Sequence, residues 1–302
     1  MTFLVIGESI VDLIGSPDAS RFSAVAGGSP LNVAVALATL GQPVRLASEI
    51  GGDFFGELLR GHLGRHGVGQ GELVPGAATS LAFARIGDDG SASYDFRFDW
   101  RFSGPVSLDG VTCLHTGSLA TLVGPGAAHV REVMRAAADA GVIVSYDPNI
   151  RPSLIGDRAS ALTLVEECVR LSRLVKVSAE DLAWLYPGEP DLDAAKRWAA
   201  WPGERLVVVT RGGDGASAIL GGSVINCPAP VVELVDTVGA GDTFTAAYLT
   251  VLGEGELTAE RVSDALRYGC AAAAVVCTRE GAVPPSPQEI DGLLSSVPPT
   301  PV

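Results

Sequence analysis

The chain has 302 residues, 47% of them hydrophobic, with a mean hydropathy of +0.31. This is ample material for a buried core and excludes an intrinsically disordered chain. A formal charge of −14, from 35 acidic and 21 basic residues, argues against a nucleic-acid partner, which calls for a basic contact face.

The basic side is lopsided: Lys176 and Lys196 are the lysines and every other positive side chain is an arginine. No stretch reaches the roughly eighteen uninterrupted apolar residues of a membrane span. The opening MTFLVIGESIVDLIG has no positive segment and meets Glu8 and Asp12 early, unlike a secretory signal, so a cytoplasmic protein is expected. Cys113, Cys168, Cys227, Cys270 and Cys277 are scattered without C-x-x-C spacing and read as reduced thiols, with no zinc site.

In chain order, short β-branched runs predict strands at Phe3 to Ile6, Val44 to Ala47, Val111 to Thr116, Val142 to Tyr146, Leu174 to Val177 and Leu206 to Thr210. Alanine-rich segments of helical spacing, Pro30 to Leu40, Pro125 to Ala140 and Asp157 to Leu171, lie between them. This alternation predicts an α/β fold with a mostly parallel sheet, in one domain spanning residues 1–302. Ala216 to Leu220 and Val224 to Cys227, joined by Gly221-Gly222, read as an antiparallel hairpin at a sheet edge.

Tyr94 to Phe102 alternates aromatic and charged residues without a break, which would place five aromatics on one face of a single strand. An edge strand of the main sheet is one reading. The other is a small β-lid over residues 80–103, with partner strands from residues 11–26, whose aromatic face covers a ligand or a second subunit.

Two glycine motifs carry chemistry. In Asp236-Thr237-Val238-Gly239-Ala240-Gly241-Asp242-Thr243-Phe244, glycines at the start of a helix leave backbone N–H groups open to an anion. Asp242 inside such a site fits a base that accepts a hydroxyl proton while the N–H groups of Gly239, Ala240 and Gly241 hold a transferring phosphoryl group. An ordinary first-turn carboxylate is the plain alternative. In Gly27-Gly28-Ser29-Pro30-Leu31-Asn32, Ser29 reads as the N-cap, Pro30 as the first helical residue and Gly41 as the C-terminal stop. Asn32 either faces solvent or joins a polar ligand that the paired glycines let approach.

GGSPLNVAVALATLG near one end and DTVGAGDTF near the other, in this order and separation, resemble the two signatures of the ribokinase-like sugar kinases, the PfkB family. The resemblance covers the whole chain. It implies a three-layer α/β sandwich with a small β-sheet lid, and transfer of the ATP γ-phosphoryl group to a sugar hydroxyl with Mg2+. It further implies Asp242 as base, the Gly239–Gly241 N–H groups as anion hole, and Asp12, Gly28 and Asn32 as sugar ligands. Thr210-Arg211-Gly212-Gly213-Asp214-Gly215 resembles the family's nucleotide loop, assigning Thr210, Gly212 and Gly215, with Gly241, to ATP. The G-x-G-x-x-A spelled by Gly213, Gly215 and Ala218 is not a dinucleotide fingerprint, because a hairpin follows it.

Asp147-Pro148-Asn149-Ile150-Arg151 ends a strand and resembles the D-x-N-x-R of fructokinase-like and 2-keto-3-deoxygluconate-kinase-like members, with Asp147 and Arg151 on substrate and Asp147 on metal. Lys176, Ser178 and Asp181 occupy the place of the family's N-x-x-E, implying nucleotide contacts from Lys176 and Ser178 and a metal role for Asp181. Asp236 and Val238 match a monovalent-cation site of ribokinase, with Gly281 opposite. Pro285 stands where a hydroxyl residue helps there, which weighs against K+ activation. Residues 271–280 and the GAVPPSP loop would line the adenine pocket.

Neither lysine lies in a glycine loop, so Walker-type and protein-kinase designs are excluded, and backbone N–H groups, magnesium and arginine are expected to meet the phosphate charge. His62 and His66 lack the adjacent glutamate of a zinc protease and read as a solvated helix end. Fructose is the expected substrate, with 2-keto-3-deoxygluconate second, for whose carboxylate Arg85, Arg97 and Arg101 are candidates. A homodimer through the lid is expected. A sugar- or nucleotide-binding regulator without turnover is the alternative from a different class.

Overall fold

The computed structural model describes residues 1–16, 20–86 and 92–296. Its strands are β1 (Phe3–Ile6), β2 (Ile10–Gly15), β3 (Phe22–Gly27), β4 (Val44–Gly51), β5 (Gly69–Gly76), β6 (Ser80–Ile86), β7 (Ala92–Arg97), β8 (Cys113–Gly117), β9 (Ile143–Asp147), β10 (Leu174–Ser178), β11 (Leu206–Thr210), β12 (Ala216–Leu220) and β13 (Ser223–Cys227). The helices are α1 (Ser29–Thr39), α2 (Phe54–Arg65), α3 (Leu119–Leu122), α4 (Gly126–Asp139), α5 (Arg158–Leu171), α6 (Ala179–Leu185), α7 (Asp191–Ala199), α8 (Ala240–Leu252), α9 (Ala259–Val276) and α10 (Pro287–Ser296).

Nine strands form the main sheet in the order β13-β12-β11-β10-β9-β8-β1-β4-β5. All pairings from β11 to β5 are parallel, and β12 and β13 close one edge as the expected antiparallel hairpin. Alternation along each strand divides the core in two. In β1, Phe3 and Val5 pack with Leu31 and Leu37 of α1 and with Phe244 and Leu249 of α8, whereas Leu4 and Ile6 pack with Val130 of α4, Val165 of α5 and Trp198 of α7. Helices therefore cover both faces, which is why the parallel strands read as continuous apolar runs.

The second sheet has the order β3-β2-β6-β7, antiparallel at its outer pairs and parallel between β2 and β6. It uses the two segments that the sequence assigned to a lid. The register sets Asp12 beside Ala82, and Ala82 beside Phe96, so Asp12 and Phe96 share one face. The aromatic alternation, however, is not one strand. β7 ends at Arg97, after which Trp100 and Phe102 leave the small sheet and stack at 5.4 Å between ring centroids inside the main core. Burial of two large rings outweighs continued pairing at a sheet edge, and the Trp100 indole N–H donates to the Ala120 carbonyl at 3.1 Å.

Among the described residues no helix is long and apolar enough to cross a membrane, and all five cysteines are free. The His62 and His66 rings lie 4.8 Å apart and tilted at the end of α2, and no three described His, Cys, Asp or Glu side chains form a metal-binding group.

Candidate active site

The C-terminal ends of β1, β8, β9, β10 and β11 lie along one edge of the parallel sheet, where open α/β folds place their ligands. Asp147, Ser178 and Thr210 are the last residues of their strands and so share this edge. The N-termini of α1 and α8 reach it as well, because the two helices pack side by side over the Phe3–Val5 face.

α8 begins at Gly239, whose φ of +78° is a left-handed conformation that favours glycine. A Cβ there would stand 2.5 Å from the Ala282 Cβ, so glycine also lets the 281–283 loop press against the turn. The Ala240 N–H is turned back onto the Thr237 carbonyl at 3.2 Å, a correction to the three-donor hole expected from the sequence. The tight turn that exposes its neighbours consumes that donor. The N–H groups of Gly239, Gly241 and Asp242 have no acceptor among the described residues and are left open, as donors that an anion could use.

Asp242 is 9% exposed. The Ser29 hydroxyl donates to its Oδ1 at 2.7 Å and the Asn32 amide to its Oδ2 at 2.8 Å, across more than two hundred residues. Ser29 and Asn32 are one turn apart on α1 and present the same face. Burial raises the Asp242 pKa, and the bonds from Ser29 and Asn32 and the charge of Lys176 only partly offset it. The outcome is a carboxylate of increased basicity, fixed in one orientation.

Two expectations change here. Ser29 is not the N-cap: Gly28, at φ +103°, occupies that position, and the Ser29 hydroxyl is engaged by Asp242. Asn32, expected on the sugar, donates to the Asp242 carboxylate. Sequence reasoning missed the role of Ser29, for which the only signal was its place three residues before Asn32 in one glycine motif.

Lys176, which the resemblance assigns to the nucleotide, pairs with a carboxylate at the end of β9. Its ammonium is buried and donates to Asp147 Oδ2 at 2.8 Å. It also lies 3.1 Å from the point that a Cβ on Gly241 would take, against the open N–H groups of α8. Burial alone would lower its pKa, but the carboxylates of Asp147, Asp181 and Asp242 hold it above the ordinary lysine value. One of the two lysines thus places a positive charge beside the first turn of α8.

Asp12 projects from β2, and glycine at position 27 is what admits it: a Cβ there would stand 2.1 Å from Asp12 Oδ2. Burial pushes the Asp12 carboxyl up to about 6, against the pull of the Arg151 charge. Arg151 is exposed, and its guanidinium donates to the Asn149 side chain at 2.7 Å. Nearby, Glu8 is buried and accepts from the Ala120 N–H at 3.0 Å, and desolvation carries its pKa to about 7. Gly28 closes this corner, since a Cβ there would stand 2.6 Å from the Glu8 carbonyl oxygen.

The remaining expected residues divide. Thr210 and Gly212 are at least partly open to solvent at the sheet edge, and Gly215, at φ +88°, presses against the Cys227 carbonyl so that β12 can turn back as a strand rather than a helix. Ser178 instead caps α6, accepting the Asp181 N–H at 3.0 Å, while the Asp181 carboxylate accepts the Ile150 N–H at 2.9 Å. Both side chains thus already have partners within the fold. Asp236 stands on a separate loop and accepts from the N–H groups of Val238 and Gly281, at 3.0 and 2.8 Å. Asp147, Asp181 and Asp236 are therefore not assembled into one metal cluster. Arg97 and Arg101 are both exposed and paired to Asp95 and Asp99, and the side chain of Arg85 lies outside those described.

The chain is similar to known proteins along nearly its whole length. Residues 2–289 match the model of the pfkB family carbohydrate kinases. Fructokinase-2 of Solanum lycopersicum is 30% identical over 308 residues, which cover 95% of this chain and 93% of that protein. A crystal structure of fructokinase with bound ATP from Xylella fastidiosa superposes with a TM-score of 0.87 at 26% identity, covering 98% of each chain. A double mutant of fructokinase from Vibrio cholerae, in a form with fructose, ADP and potassium ion bound, superposes with a TM-score of 0.84 at 25% identity over 97% of this chain and 98% of that one. The buried carboxylate at an open helix N-terminus, the two glycine motifs that build it and these matches lead to one conclusion: the chain belongs to the pfkB family of carbohydrate kinases.

Proposed function

We propose that the chain phosphorylates fructose, with Asp242 taking the proton of the attacking hydroxyl as the γ-phosphoryl group of ATP is transferred. The observation that carries this reading is Asp242, buried and held by Ser29 and Asn32 beside three open N–H groups and the Lys176 ammonium. A base beside a site for developing negative charge is what a phosphoryl transfer requires of the protein. Asp12, with Arg151 near it, lies on the face of the small sheet that also bears Phe96, and binds the sugar hydroxyls. Thr210, Gly212 and Gly215 line the nucleotide side of the same edge. The ribose and base of ATP lie toward the 281–283 loop, which already touches Gly239.

A magnesium ion fits this donor set. The described residues offer no closed cage of carboxylates or histidines, and magnesium beside a nucleotide takes most of its octahedral shell from phosphate oxygens and water. Asp147 would hold it through that water, and the ion would neutralise charge on the phosphates. 2-Keto-3-deoxygluconate ranks behind fructose: Arg97 and Arg101, two of its candidate carboxylate ligands, are exposed and each lies against a neighbouring aspartate. Ile14 and Val25 are exposed on the Asp12 face of the small sheet and support a homodimer formed there.

The test is ADP release with ATP, Mg2+ and a panel of sugars. Fructose should give the highest kcat/KM, and Asp242→Asn should lower kcat by about 10²–10⁴-fold with the melting temperature preserved. Sugar binding without turnover would place the chain among non-catalytic regulators, and full activity of Asp242→Asn would remove Asp242 as the base.

A further inference from the structure

On the α8 side of the main sheet, a chain of buried polar groups takes no part in the chemistry above. His115 on β8, Ser145 on β9 and Tyr248 on α8 are each no more than 1% exposed. The register pairs His115 with Ser145, and the His115 Nδ1 lies 3.0 Å from the Ser145 Oγ. The Ser145 Oγ lies 3.1 Å from the Tyr248 hydroxyl. Burial lowers the His115 pKa to about 4, so the ring is neutral at working pH. With Tyr248 donating to Ser145 and Ser145 donating to the bare Nδ1 of His115, every hydroxyl proton in the chain has an acceptor.

This chain joins the two halves of the active site from beneath. Ser145 precedes Asp147 by two residues on β9 and faces the same way. Tyr248 follows Asp242 by six residues on α8, a rise of about 9 Å. Asp242 bonds to Ser29 and Asn32 of α1, and the buried Thr245 hydroxyl bonds back to Gly241 of its own helix, so Tyr248 supplies the side-chain hydrogen bond from α8 to the sheet; Phe244, Ala246, Ala247, Leu249 and Leu252 make apolar contacts with the sheet and neighbouring helices. Apolar contacts are non-directional and tolerate small slides, whereas a hydrogen bond is limited in length and angle and a buried hydroxyl without a partner is unfavourable.

Building on the kinase reading, we propose that Tyr248, Ser145 and His115 are positioning residues. Their hydrogen-bonded chain fixes α8 along its axis, and so sets the height of Asp242 and the open N–H groups over Asp147 and Lys176. A shift of about 1 Å at reacting groups is enough for a loss on the order of 10²-fold in turnover.

The experiment compares Tyr248→Phe, Ser145→Ala and the double variant in the full chain, by steady-state kinetics with ATP, Mg2+ and fructose and by amide hydrogen exchange without ligands. Each single variant should lower kcat by about ten-fold or more, with KM for fructose and ATP within about two-fold. The double variant should fall no further than the worse single, because both break one chain. Exchange should quicken at residues 239–245 and stay unchanged in β4. Native kcat in both singles, a loss confined to KM, or a lowered melting temperature with unaltered kcat and exchange would each overturn the proposal. If the native chain turns over no fructose, the substrate reading fails, and the exchange pattern alone decides the positioning role.

Discussion

Lys176→Met separates what the buried ion pair does for stability from what it does for chemistry. Lys176 and Asp147 are 5% and 2% exposed and 2.8 Å apart, so removing the ammonium leaves a carboxylate in the interior without its partner. Breaking such a pair from one side costs about 3–5 kcal/mol, and with roughly 2–4 °C lost per kcal/mol the melting temperature should fall on the order of 10 °C. Asp147→Asn together with Lys176→Met removes both charges of this pair and should recover part of that loss. Turnover should not recover. The ammonium stands against the N–H groups at Gly241, and losing one such donor in an anion site lowers kcat by about 10²–10³-fold. Thermal melts give the first quantity and ADP release at 25 °C the second, with Asp147→Asn alone as the comparator. Turnover of Lys176→Met within a few-fold of the native chain, or recovery of turnover along with stability in the paired variant, would refute the role given to the ammonium.

Three further outcomes are expected. In Gly27→Ala the new Cβ would fall 2.1 Å from Asp12 Oδ2 and displace the carboxylate, so KM for the sugar should rise by about ten- to a hundred-fold, the loss of one hydrogen bond to a charged group; an unchanged KM would contradict the placement of Asp12 on the sugar. Because burial raises Asp12 to about 6 and its charged form is the stronger acceptor, kcat/KM for the sugar should fall as pH drops through about 6; a flat profile from about pH 7.5 to 5.5 would count against it. Trp100→Ala removes a ring that is 2% exposed and stacked on Phe102, and should cost about 3–5 kcal/mol in chemical denaturation, far more than an edge-strand aromatic would; a loss below about 1 kcal/mol would return Trp100 to the small sheet.

Much of this molecule is legible from local pattern. β1, β11 and β12 begin and end where the β-branched runs do, and the hairpin after Thr210, legible in the sequence, excludes a dinucleotide fingerprint there. α1 starts one residue earlier than a Ser29 cap implies, because propensity ranks serine above glycine as a cap while the positive φ at Gly28 decides the matter. The aromatic run after Arg97 misled for a related reason: alternation reports side-chain parity along a chain but not where pairing stops.

The sequence by itself determined the layered α/β class, the two glycine motifs, the place of Asp242 at the start of a helix and the segments that build the small sheet. These depend on periodicity and on backbone freedom within a few residues. Only the tertiary structure decided that Ser29 and Asn32 hold Asp242, that Lys176 joins Asp147 at the anion site, and that glycine at position 27 makes room for Asp12. Each of these depends on how α1, α8 and the strand ends pack across the sheet edge. Contacts between residues as far as 213 positions apart are set by packing of the whole core, for which no local spacing rule exists.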